Sequence, residues 1–213
     1  MYRWFAVLVA VLVSAAPAAA HQGNPNMLTR VDDTPSGVTV DVINRDDSLD
    51  LHNQSGQDVV IEGYDDEPYA RLDADGTVFV NQNSPAYYLN DDRFGEVEVP
   101  DRADPEADPA WKELDRTGRF QWHDHRMHWM AKTVPPQVED ESKRQEIFTW
   151  SIPVQVDGQP AAIAGTLFWT PDPGTPIGFI VVGSVIVVLL CAGAIVVRRR
   201  RDRADGETAS EAW

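Results

Sequence analysis

Ile147-Phe148-Thr149-Trp150-Ser151-Ile152-Pro153-Val154-Gln155-Val156, then Asp157-Gly158, then Ala161-Ala162-Ile163-Ala164-Gly165-Thr166-Leu167-Phe168-Trp169, is the stretch that decides the fold class. Two runs rich in β-branched and aromatic side chains flank an Asp-Gly pair, and Asp-Gly accepts the positive φ that a tight hairpin turn demands. The segment therefore reads as a β-hairpin. Pro153 has no N–H to give to a ladder, so an edge or a bulge is expected there.

Working outward, Tyr69 to Leu72 and Thr77 to Val80 enclose Asp73-Ala74-Asp75-Gly76 and predict a second hairpin. Val38, Val40 and Val42 alternate with Thr39 and Asp41, Leu49 and Leu51 repeat the period briefly, and Asp58 to Tyr64 holds Val59-Val60-Ile61. Period two marks strands with one buried face. Pro100 to Pro109 is acidic and proline-rich and reads as a surface loop, followed by one helical turn at Ala110 to Leu114 anchored by Trp111. No stretch before residue 177 keeps a helical apolar period beyond about two turns. About seven short strands punctuated by Gly, Pro, Asn and Asp predict an all-β domain, an immunoglobulin-like sandwich or a Greek-key barrel. No P-loop, Rossmann or G-x-S-x-G pattern occurs.

The two ends carry different signals. Arg3, the apolar stretch Phe5 to Val13 and the small residues ending Ala18-Ala19-Ala20 have the order of a cleavable signal peptide, residues 1–20. Cleavage after Ala20 would make His21 the first residue of the mature chain. Ile177 to Val197 is 21 residues without a charge, followed at once by Arg198-Arg199-Arg200-Arg201. A helix of that length spans roughly 30 Å, the thickness of a bilayer's hydrocarbon core, and the arginines assign its far end to the cytoplasm. The expected order is signal peptide 1–20, extracellular domain 21–170, stalk 171–176, transmembrane helix 177–197 and cytoplasmic tail 198–213. The protein is thus expected in the cell membrane as a single-pass protein.

Residues 21–176 hold twelve Lys and Arg against thirty Asp and Glu, a net charge near −18. That balance repels nucleic acid, which is excluded as a partner, and makes cations plausible ligands. The single cysteine, Cys191, falls in the expected membrane segment, so no intrachain disulfide can staple the domain.

One segment stands apart: Phe120-Gln121-Trp122-His123-Asp124-His125-Arg126-Met127-His128-Trp129-Met130 holds three of the five histidines. On a regular strand Phe120, Trp122, Asp124 and Arg126 share one face, and His123, His125 and Met127 the other. His128 joins its fellow histidines only if the chain bends near Arg126. Neutral imidazole suits copper and zinc, thioether sulfur selects Cu(I), and an N-terminal His21 could chelate Cu(II) through its amine and ring. The candidate metal ligands are His123, His125, His128, His21 and Met127, with copper or zinc as the ion. The same residues also support a purely structural reading, in which Asp124 pairs with Arg126, the histidines donate to backbone carbonyls and the tryptophans fill the core. His52 reads as a surface histidine near a turn.

The string Asn83-Ser84-Pro85-Ala86-Tyr87-Tyr88-Leu89-Asn90-Asp91-Asp92-Arg93-Phe94-Gly95, the segment Trp122 to Met130 and the ending Ala164-Gly165-Thr166-Leu167-Phe168-Trp169 together resemble an uncharacterised family of secreted, membrane-anchored actinobacterial proteins with a W-H-D-H-R-x-H-W core. The resemblance implies a Gram-positive cell surface and brings no established activity. In architecture and in His21 alone, the chain is also loosely similar to CopC-like copper-resistance proteins.

The residues thus favour a non-enzymatic, surface-tethered binding or structural module, with the histidine segment available for copper or zinc. The alternatives are a scaffold subunit of an envelope membrane complex, with a structural histidine network and a protein partner, and a copper-dependent enzyme. No nucleophile and base at recognisable spacing supports an enzyme, and no catalytic residue is assigned.

Overall fold

The computed structural model describes residues 24–171 and 189–198. The chain divides into two compact units, Met1–Pro171 and Asp172–Trp213. In the second unit residues 189–198 are helical and exposed. The signal peptide, His21, the stalk beyond residue 171 and most of the expected membrane span lie outside the described residues. Among the described residues, no helix is long and apolar enough to cross a membrane.

Residues 24–171 are mostly β-sheet, as their period-two runs require. The strands are β1 (Met27–Asp33), β2 (Val38–Ile43), β3 (Ser48–Asn53), β4 (Val59–Glu62), β5 (Pro68–Leu72), β6 (Val78–Asn81), β7 (Trp111–Asp115), β8 (Arg119–Trp122), β9 (Gln145–Val156) and β10 (Gln159–Trp169). One sheet has the order β1-β10-β9-β4-β5-β6-β7 and the other β2-β3-β8. The seven-and-three division differs from the four-and-three of an immunoglobulin constant domain. Both sheets feed one apolar core: Leu49, Leu51, Phe120 and Trp122 from the small sheet meet Val59, Ile61, Leu72, Ile152, Ile163 and Leu167 from the large one. In the small sheet the register stacks Val42, Leu49 and Trp122 in one row and Val40, Leu51 and Phe120 in the next.

Both expected hairpins are present. Asp157 and Gly158 have φ of 50° and 72°, the paired left-handed conformation of a two-residue turn. Gly76 at 89° closes the other. Pro153 stands where the β4–β9 ladder stops after Ile61↔Val154, so β9 has a free flank from that point.

Bulges let the core claim residues that strict alternation would expose. Ile147 is the extra residue between the pairs Leu167↔Phe148 and Phe168↔Glu146, so odd-numbered Ile147 and even-numbered Trp150, Ile152 and Val154 all point inward. Tyr69 is the extra residue of a second bulge, between the pairs Ile61↔Ala70 and Glu62↔Pro68, so adjacent Tyr69 and Ala70 are both buried.

Two expectations are corrected. Ala110 to Leu114 is not a helical turn: Trp111–Asp115 is edge strand β7, paired to β6. Its mostly exposed side chains lack an apolar stripe for a helix to bury, and the open edge of β6 offers its backbone partners. The strand entering the histidine segment ends at Trp122, and His125–Met127 forms a 3-10 turn. His52 lies near the end of β3, half-buried and paired to Thr39 and Arg119, and the bend over residues 55–57 follows it, as expected. The fold also contains a short helix, α1 (Pro85–Leu89), with Ser84 at its N-cap position and Pro85 at the first turn.

Candidate metal centre

Asp124 causes the break after β8. Its Oδ1 accepts the backbone N–H of Arg126 at 3.0 Å, a capping contact that satisfies an orphan donor and starts the 3-10 turn. The carboxylate is fully buried and every lone pair is used: Trp122 Nε1 donates to Oδ2 at 2.9 Å, and the Arg126 guanidinium donates to Oδ1 at 2.9 Å and to Oδ2 at 2.8 Å. Arg126 then ties the turn to the large sheet through the carbonyls of Gly63 and Glu62, both at 3.0 Å. A buried charge tolerates removal from water only when paired and bonded in this way. The structural half of the sequence reading, Asp124 with Arg126, is therefore present.

The turn bends the chain where three histidines require it. The ring centroids lie 4.6 Å apart for His123 and His128, 5.4 Å for His123 and His125, and 5.7 Å for His125 and His128. One ring nitrogen from each lies within 4.8 Å of the other two. His128 is buried and His123 and His125 are half-buried.

Each ring spends one nitrogen on a backbone carbonyl. His123 Nδ1 bonds the carbonyl of Asp47, His125 Nε2 that of Asp92 at 2.8 Å, and His128 Nδ1 that of Trp129 at 3.1 Å. A carbonyl only accepts, so those nitrogens carry the hydrogens. The nitrogens left over are Nε2 of His123, Nδ1 of His125 and Nε2 of His128. Those of His123 and His128 are buried without a partner. Burial, first of all, holds both imidazoles neutral, with the neighbouring rings and Arg93 acting in the same direction; His123 is shifted down and His128 is pushed down to about 3.

Two loops supply the carbonyls that hold His123 and His125. The β2–β3 turn carries Asp46 and Asp47, and the segment after α1 carries Asp92. Arg93 clamps them together: its guanidinium donates to Asp46 Oδ2 at 2.5 Å and the Asp46 carbonyl at 3.2 Å, and lies 3.9 Å from Asp47. Burial pushes the Asp46 carboxyl up, and Arg93 opposes the shift. The Asp92 side chain is engaged locally, accepting the N–H groups of Phe94 and Glu96, which holds its carboxyl below its ordinary value. Tyr64 stacks on His125 at 5.5 Å, accepts the His125 N–H at 3.0 Å and donates to Asn90. Gly95, at φ 68°, clears the other side: a Cβ there would sit 3.1 Å from His125 Cε1 and 3.6 Å from its Nδ1.

Of the candidate ligands, His123, His125 and His128 come together. Met127 lies fully buried in the apolar core, its carbonyl accepting from Thr29 Oγ1. His21 lies outside the described residues. The sequence pattern does not single out Asp47, Asp92, Arg93, Tyr64 or Gly95 as parts of the site, because no pattern shows where a backbone carbonyl will point. An open cleft of about 690 Å³ between the sheets, lined in part by Tyr69, Tyr87, Phe120 and Trp122, reaches His123. No protein-family model, curated protein or solved structure matches the chain.

Proposed function

We propose that the protein is a surface-tethered module that binds copper or zinc through His123, His125 and His128. One observation carries this reading: the three rings each commit one nitrogen to a backbone carbonyl, and one ring nitrogen from each lies within 4.8 Å of the other two. Metal-binding histidines are oriented by such outer contacts, which fix the tautomer and the ring plane. A purely structural network would give its buried nitrogens donors, and those of His123 and His128 have none. Bonds of about 2.0 Å place three nitrogens roughly 3.4 Å apart, so the rings would draw in by about 1.5 Å at most. The acidity of residues 21–176 would raise the local concentration of cations.

The tether belongs to the same proposal: a signal peptide at 1–20 and an apolar anchor at 177–197 would hold the domain outside the cell membrane. Under this reading the Asp124–Arg126 network is the frame of the site.

Metal analysis of the purified chain tests the proposal. Wild type is expected to retain about one copper or zinc per chain after desalting, and His123→Ala and His125→Ala to lose it while keeping their β-sheet circular dichroism. A wild-type chain that retains neither metal, with both variants merely less stable, would leave the histidines a structural role.

A further inference from the structure

Resting on the metal-binding reading, we infer that the ion held by His123, His125 and His128 is Cu(I), bound by three nitrogens with no fourth ligand. The donor group contains neither carboxylate nor thiolate, so the ion would keep its whole charge. The carboxylates of Asp46 and Asp124 are fully engaged, and that of Asp92 is engaged through Oδ1. Asp46 binds Arg93 and the Asn24 N–H, Asp92 binds the N–H groups of Phe94 and Glu96, and Asp124 binds Arg126 and Trp122. Asp47 faces the same guanidinium at 3.9 Å.

The available nitrogens of His123 and His128 are buried, so solvent compensates little of the ion's charge on those two sides. The cost of placing charge in such a medium grows with its square, making a divalent ion about four times as expensive as a monovalent one. The Arg93 guanidinium beside the site adds to that difference. Zn²⁺ in addition asks for a fourth ligand, ordinarily water or an anion. Cu(I), a closed-shell monovalent ion, is satisfied by three neutral donors in a plane.

The test uses the full-length chain under anaerobic conditions. Cu(I) is titrated in competition with bathocuproine disulfonate, and Zn²⁺ and Cu²⁺ with chromophoric chelators. One Cu(I) per chain is expected, at least tenfold tighter than Zn²⁺, with a three-nitrogen shell in X-ray absorption. His125→Asp, checked for folding by circular dichroism, places a carboxylate in the group and should shift the Zn²⁺ to Cu(I) affinity ratio at least tenfold toward Zn²⁺. His123→Asp serves the same purpose if the first variant does not fold. A wild-type chain that holds Zn²⁺ or Cu²⁺ more tightly than Cu(I), or Cu(I) with a fourth ligand, would overturn the inference and leave the metal-binding reading standing. A folded chain that binds none of the three ions would remove both.

Discussion

At the scale of single residues, the site is governed by how little room its imidazoles have for a proton. His128 is buried, donates one nitrogen to a carbonyl and leaves the other without a partner, so a proton added there would bring an unpaired charge into the interior. Its pKa is accordingly pushed from 6.5 to about 3, by burial first and by His123 next. The sign of the linkage follows. A folded-state pKa below the unfolded value means that acid favours the unfolded chain. The stabilisation is fully present above pH 6.5 and is lost progressively as pH falls toward 3. His123, shifted in the same direction, adds to the slope. Urea titrations of the metal-free chain should show a loss of roughly 2 kcal/mol between pH 7 and pH 5 from His128 alone. His128→Gln should be less stable at pH 7 but lose less on acidification. A flat profile in wild type would mean that His128 is protonated in the folded state.

At the scale of elements, the centre depends on two loops that carry no ligand. The β2–β3 turn and the segment after α1 orient His123 and His125 through the carbonyls of Asp47 and Asp92, and Arg93 joins the two. Removing Arg93 strands the buried Asp46 carboxylate, and breaking a buried pair from one side typically costs about 3–5 kcal/mol. Arg93→Ala is therefore expected to unfold at clearly lower urea, and to bind metal more weakly even where it remains folded. The double variant Arg93→Leu with Asp46→Asn, which removes the orphaned charge, should recover part of the stability but not the affinity. Equal recovery of both would show that the clamp does not position the rings. The same elements show what the sequence made legible. Strands β2, β3 and the β5–β6 and β9–β10 hairpins followed from period two and from Asp-Gly chemistry, because those signals are local. β7 did not, because its exposed side chains carry no alternation and its pairing with β6 is supplied by a distant stretch. The three histidines were visible as a cluster, and so was the need for a bend. That Asp124 makes the bend by capping a 3-10 turn depends on its burial against Trp122 and Arg126, which is a tertiary fact.

At the scale of the whole molecule, charge and core pull against each other. Residues 21–176 carry a net charge near −18, and no disulfide staples the two sheets, since the only cysteine is Cys191. Stability must come from the shared apolar core, in which Leu49, Leu51, Ile61, Ile152, Ile163 and Leu167 are each fully buried at about 1.5–3 kcal/mol per side chain. Against that stands the mutual repulsion of surface carboxylates, which acts over distances comparable to the screening length of about 10 Å at 0.1 M salt and collapses at about 3 Å in 1 M. The ion pairs divide in the opposite sense. Asp124 with Arg126 and Asp46 with Arg93 are buried and largely immune to screening, whereas Arg116 with Glu113 and Lys143 with Asp140 are exposed and worth little to begin with. Salt therefore removes more repulsion than attraction. The melting temperature of the metal-free chain should rise by several degrees between 0.05 M and 1 M sodium chloride, as followed by circular dichroism. A melting temperature that falls over that range would mean that the exposed pairs, and not the core, carry the fold.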